Sequence, residues 1–369
     1  MRGPASRRRA LTLLSAALVA ALGATAVPAA GAGPRAPGTE RVSVTADGGQ
    51  ADGPSENAAL SGDGRHVAFV SRAPAFGCGG FFACLRLKDL RTGEVTGVEQ
   101  DGYWAGAPLL SHDGGRVAYA VGRRFPQPYL YDAATGTAER LWPADPPGFN
   151  ELGAPGSLSP DGTHVTYTLG NRHGNASAHL LYVRDTATGT DELISPPEEG
   201  QKHASSVSGD GGLVAYQIRR DDDQADDQAD VLLKDRGTGA RTQVDTGRGT
   251  AALVRISEDG RRVLFNADDG LYVHTVRTGA TERVAPEQAL SASADGRHVV
   301  VAGDAGPLLV DLRTGKRTPA GPPDARVGPT AVTAHGKALA FSSAAADLVP
   351  GDTNGAVDVF VRELSPSGV

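Results

Sequence analysis

Glu56, His203 and Gln288 occupy one recurring place in this 369-residue chain, seven residues ahead of an Asp-Gly turn at Asp63, Asp210 and Asp295. Glycine or alanine fills that place elsewhere in the chain. Asn57, Tyr103, Trp104, Asn150, Glu151 and Lys202 lie near these three in sequence or at neighbouring turns. A carboxylate, an imidazole and two aromatic rings gathered at one mouth could hold a peptide or a sugar, or support acid–base work. The competing account is an ordinary polar rim.

A second set of oxygen ligands stands in "PGDTNGAVD", where Asp352, Asn354 and Asp358 follow the spacing of the first half of a calcium loop. The bidentate Glu that completes such a loop is missing, and a polar connection turned by Asn-Gly accounts for the same letters. Calcium is therefore the one cofactor the sequence allows; otherwise none is expected. The run "RRDDDQADDQAD" carries Asp221, Asp222, Asp223, Asp226, Asp227 and Asp230. It reads as a solvated loop held open by self-repulsion, or as a cation-binding or partner-facing one. His173 and His179 in "NRHGNASAH" read as surface-loop residues. No G-x-S-x-G elbow, H-E-x-x-H pair, P-loop or dinucleotide fingerprint occurs, so no catalytic residue is assigned.

The chain opens with a basic head (Arg2, Arg7, Arg8, Arg9), an apolar run and an Ala-x-Ala site at Ala30-Gly31-Ala32. Residues 1–32 read as a secretory signal peptide, by the general or the twin-arginine route. Secretion, or another location outside the cytoplasm, is the expected address. Cleavage after Ala32 leaves 32 basic against 43 acidic residues, a balance of −11. Such a chain is a poor partner for nucleic acid or for anionic membrane surfaces. In an oxidising compartment Cys78 and Cys84, close together in "FGCGGFFAC", are expected to form a local disulfide.

The elements that position these residues repeat. "ALSGDGRHVAFVS", "LLSHDGGRVAYAV", "SLSPDGTHVTYTL", "SVSGDGGLVAYQI", "RISEDGRRVLFNA" and "SASADGRHVVVAG" each place Asp-Gly between two apolar alternating runs. "AVTAHGKALAFSS" is a decayed seventh copy. Asp-Gly in that setting is a strong hairpin signal, because Gly takes the positive φ of the turn. A second hairpin follows in the first six units, turning at Asp-x-x-Thr-Gly at Asp89, Asp132, Asp185, Asp235 and Asp311, with Thr275 in place of Asp in the fifth. These aspartates are expected to bond the N–H groups of their own turns. Seven four-stranded antiparallel units of about 35 to 50 residues predict an all-β fold, a seven-bladed β-propeller. Residues 33–369 are read as its one domain.

The seventh unit supplies three strands, ending with "VDVFVREL". Its missing fourth strand is the isolated "TERVSV" at the front. Residues 39–46 are therefore expected to complete the seventh blade with 328–364, closing the ring and covering an open edge.

The "LSPDGxxVAY…LYVRDxxTG" pattern resembles the TolB-type propeller repeat over residues 38–364, in particular an exported bacterial subgroup. The resemblance implies the fold; one fold hosts many functions. TolB itself adds an N-terminal α/β domain to six blades, for which seven units leave no length, so its role in an envelope complex is not carried over. The expected function is a non-enzymatic binding or scaffold module, likewise a monomer, holding a protein, peptide or cell-wall component at the channel mouth through Glu56, Asn57, Tyr103, Trp104, Glu151, His203 and Gln288. The alternative is a carbohydrate-active enzyme, lyase- or hydrolase-like, using the same channel residues.

Overall fold

The structure, a computed structural model, describes residues 38–78, 83–98, 106–122, 125–145, 152–170, 179–196, 200–219 and 229–364, without the side chains of His179 and of 201–203. Residues 36–369 form one compact unit. Within it stand seven antiparallel sheets, the blades of a β-propeller. Blades 1 to 6 span 55–97, 109–140, 152–195, 201–243, 252–285 and 289–319, each with four strands in chain order.

Two local devices form every blade. At the Asp-Gly turns the glycine (Gly64, Gly114, Gly162, Gly211, Gly260, Gly296, Gly336) has φ between 65° and 75°, which side chains with a Cβ rarely adopt. The turn is boxed by a serine two residues ahead of the aspartate, at Ser61, Ser111, Ser159, Ser208, Ser257 and Ser293. Each hydroxyl donates to the aspartate at 2.6–2.7 Å and accepts the N–H that opens the next strand at 2.9–3.0 Å. All six serines are buried. At the decayed turn Thr333 accepts the N–H groups of Lys337 and Ala338 with no aspartate to donate to. At the outer turns Asp89, Asp132, Asp185, Asp235 and Asp311 accept turn N–H groups at 2.7–3.3 Å, as the sequence predicts.

A lone blade cannot bury its faces, and seven apolar clusters lie one at each blade–blade interface. Six interfaces center on one large ring (Phe69, Tyr119, Tyr167, Tyr216, Phe265 or Phe341) that is at most 2% exposed. Basic side chains complete the seams. Lys88 Nζ donates to Val42 O at 2.9 Å and Lys234 Nζ to Ile194 O at 3.0 Å. Arg184 reaches Trp142 O at 2.8 Å and pairs with Asp191. His274 acts through Thr281, whose hydroxyl reaches Val244 O. Each sits just ahead of its outer turn and grips the outer strand of the preceding blade, or the chain just beyond it. In blade 4 this fastens the chain flanking the acidic loop, which itself lies outside the described residues apart from Arg219, Ala229 and Asp230.

The ring closes between the chain's two ends. Thr39, Glu40 and Arg41 pair with Arg362, Val361 and Phe360. Val42 N–H continues to Val359 O at 2.7 Å. Blade 7 is thus Ala338–Ser343, Asp358–Glu363 and Thr39–Arg41. Its innermost position is no regular strand: 331–333 holds it by the Val332–Leu339 bridge and the Ala340 N–H to Ala331 O bond. The expected first strand is thus reduced to this bridge and bond. Cys78 and Cys84 are bonded as a disulfide, with Cα atoms 5.6 Å apart.

Two outcomes follow. Deleting residues 38–46 exposes the last blade's edge and the Val42 cluster; the melting temperature is expected to fall by about 5–10 °C or more, read by circular dichroism, while Lys88→Met costs about 1–3 kcal/mol. Asp210 is held below the usual carboxylate range of 3.8, first by the Ser208 hydroxyl and then by Gly212 N–H. A depressed carboxyl adds stability above its unfolded value and loses it as pH falls through its folded value. Melting temperature should therefore drop as pH falls below about 4, and Ser208→Ala should make that drop shallower.

Candidate functional site

In a propeller of this topology, one face carries the Asp-Gly and Thr-Gly turns and the other carries the second-to-third-strand loops and the blade-to-blade connections. Glu56 is the second residue of the first strand of blade 1, Gln288 immediately precedes that of blade 6, and His203 lies early in that of blade 4. All three are therefore at the connection-face mouth of the channel. Asn150, Glu151, Tyr103 and Trp104 lie outside the described residues, as does the side chain of His203.

The described members are engaged. Glu56 accepts from Arg72 Nη1 at 3.2 Å and stands 3.8 Å from Arg326 Nη1. Gln288 Nε2 donates to Ala267 O at 2.7 Å, tying the entry of blade 6 to blade 5. Asn57 has φ 57°, the one non-glycine residue at positive φ among those described. It sits in a bulge between Glu56 and Ala59 that aims the entry of the strand. Arg72 and Arg326, 52% and 72% exposed at their side chains, flank Glu56 and present donors outward. Sequence reasoning missed both: they lie in the irregular ends of other elements, where the repeat offers no spacing to read.

Deeper in, the channel narrows. Backbone N–H groups of Ala334, Asp63, His112, Gly209 and Glu258 donate at 2.6–2.9 Å to carbonyls of the next blade, at Gly62, His112, Pro160, Glu258 and Ala294. Pro160 has no N–H to continue the belt toward blade 4. There Ser157 Oγ accepts Val207 N–H at 3.0 Å, and Ser206 repeats the device with Ile256 N–H. A small cavity of about 30 Å³ lies between the first strands at this level. Arg255 lines it, bonded through Nη1 to Ala292 O at 2.6 Å. Burial pulls that guanidinium down to about 10, leaving it charged at neutral pH.

Asp352, Asn354 and Asp358 are brought together with the N-terminal segment. Arg41 Nη1 lies 3.5 Å from both Asp352 and Asp358. Ser43 Oγ donates to Asp358 at 2.6 Å and accepts Val359 N–H, Gln50 donates to Asp352 at 2.9 Å, and Asn354 Nδ2 donates to Ala51 O at 3.0 Å. Asp358 is fully buried, and burial, only partly offset by Ser43 and Arg41, raises its carboxyl above the usual value. Arg41 thus supplies the positive charge that faces these two carboxylates. Among the described residues no group of three or more His, Cys, Asp and Glu side chains is arranged to hold a metal ion. No helix among them is long and apolar enough to cross a membrane.

No family model matches the chain, and no curated protein does. Solved structures are similar to it at low identity. An oligogalacturonate lyase from Vibrio parahaemolyticus is 13% identical over 89% of this chain and 94% of its own, with a TM-score of 0.63. The β-propeller domain of the Trilobed protease from Pyrococcus furiosus is 11% identical over 84% and 95%, with a TM-score of 0.56. TolB from Acinetobacter baumannii is 18% identical over 72% of this chain, which spans about half (53%) of that structure's length, with a TM-score of 0.41. At these identities the likeness to the first two shows the β-propeller fold.

Proposed function

We propose that this propeller is an exported, non-enzymatic binding or scaffold module that holds a protein, peptide or cell-envelope partner at the connection-face mouth. The observation that carries this reading is the state of the rim. Glu56 and Gln288 are spent on holding neighbouring elements, while Arg72 and Arg326 stand exposed beside them. Groups fixed by such bonds make a preorganised surface, whereas an acid–base pair needs one point that both can reach. Tyr103, Trp104, Glu151 and His203 would add aromatic area and polar contacts to that rim, as such residues do at interfaces. Calcium at Asp352 and Asp358 would have to displace Arg41, so the reading assigns that loop to ring closure and names no cofactor.

Photocrosslinking in the native culture tests it. A benzoylphenylalanine in place of Arg326 is expected to capture one discrete partner, and the same group in place of Thr92, on the opposite face, is not. Tyr103→Ala with Trp104→Ala should cut the yield about tenfold or more, as loss of interface aromatics does, at unchanged melting temperature. Equal capture from both faces would overturn the mouth as the site. Turnover of an acidic polysaccharide that disappears in His203→Ala would replace the binding module with the carbohydrate-active enzyme.

A further inference from the structure

On the turn face, blade 5 departs from the repeat in a way that leaves an arginine without its cross-strand carboxylate. In each of the first six blades the residue three past the Asp-Gly aspartate pairs across the sheet with the residue that opens the outer turn. His66 faces Asp89 and Arg116 faces Asp132, at 3.9 and 3.3 Å. His164 and His298 are likewise opposite Asp185 and Asp311, and Leu213 opposite Asp235. In blade 5 the pair is Arg262 and Thr275. An arginine is present and its carboxylate is not.

The arginine is also aimed differently. His66, Arg116, His164, Leu213 and His298 each lie against the turn glycine of the next blade. At Gly296 the nearest atoms belong instead to Leu264 and Ser257. Arg262 lines a groove of about 320 Å³ between blades 5 and 6, together with Arg297 and Arg313 of blade 6. Among the described residues none of these three guanidinium groups has an ion pair or a hydrogen bond. Glu282 brings the groove's one carboxylate, and it pairs with none of them. The floor is apolar, formed by Val273, Val284 and Leu312. Three unpaired arginines at one groove stand out on a chain whose net charge is −7.

We propose that this groove is a second binding site, for an acidic peptide segment whose carboxylate takes the place of the aspartate missing at Thr275. Arginine's planar fork suits a carboxylate and is weakly hydrated, so a ligand acid gains two parallel charge-assisted bonds. The apolar floor between the arginines fits an aliphatic side chain next to the acidic one. An acidic sugar would instead ask for hydroxyl partners and an aromatic platform, and the groove lining has neither an amide nor an aromatic ring. The site lies on the face opposite the connection-face mouth and stands independently of it.

The test is fluorescence anisotropy of the mature protein with a labelled acetyl-Glu-Leu-Glu-Leu-Glu amide at low and moderate salt. Saturable binding weakened by salt is expected, with Arg262→Gln and Arg297→Gln each losing about tenfold in affinity, the loss of one charge-assisted pair. Arg91→Gln, at the outer turn of blade 1, should bind as the parent does. Thr275→Asp is the decisive variant. It restores the carboxylate the other blades carry, so it should weaken the peptide about tenfold while melting no lower than the parent. A misfolded variant would betray itself in that melt. No binding up to about 1 mM, or binding indifferent to Arg262→Gln and Thr275→Asp, overturns the proposal, 1 mM being the weak end of specific recognition. Binding of a trigalacturonate in the same assay without binding of the peptide overturns it as well.

Discussion

A four-stranded blade has two edges, and every unpaired N–H and C=O along them must find a partner. This constraint organises the molecule. The inner edges converge on the axis, where five of the seven blades donate a backbone N–H to the next and the side chains of Ser157 and Ser291 bridge the other two seams. The outer edges are gripped by Lys88, Arg184, Lys234 and Thr281 from the following blade. Blade 7 would lack an outer strand altogether if residues 39–41 did not return to it.

Satisfying the edges uses up the interior. The belt and the first strands enclose a cavity of about 30 Å³ near the turn end, and the buried polar groups of Ser43, Asp358 and Arg41 serve the ring closure. The faces are where the repeat relaxes, since loops and turns there answer to solvent and need not match a neighbouring blade.

A repeat also makes exceptions visible. Thr275 matters because five aspartates occupy the equivalent place, and Arg255 because the other six positions four ahead of the turn hold Ala, Leu or Ser. Each is a structural place given up by one blade. At Arg255 the cation is turned back to the fold, bonded to Ala292 O. At Arg262 it faces a groove whose one carboxylate, Glu282, does not pair with it. Position within the repeat is the same kind of information in both cases; only the surroundings separate a staple from a candidate site.

The sequence by itself determined the blade count, the hairpins and the closure by the front strand, because these rest on short-range signals: Asp-Gly turns, period-2 alternation and a strand left without a partner. It also held the serine box in plain view, as six serines at one spacing, though the hydroxyl's double role needs the folded turn to be seen. Tertiary structure alone decided which side chains meet. Arg41 and Asp358 are 317 residues apart, and Glu56 and Arg326 are 270 apart, so no local pattern links them. The loop that spells half a calcium site became a clasp because the returning N-terminus put a guanidinium beside its carboxylates. The groove at Arg262 exists because two blades bring arginines from three separate turns together. Chain-local rules set what each segment forms; long-range packing sets what each charge faces, and that is where binding is decided.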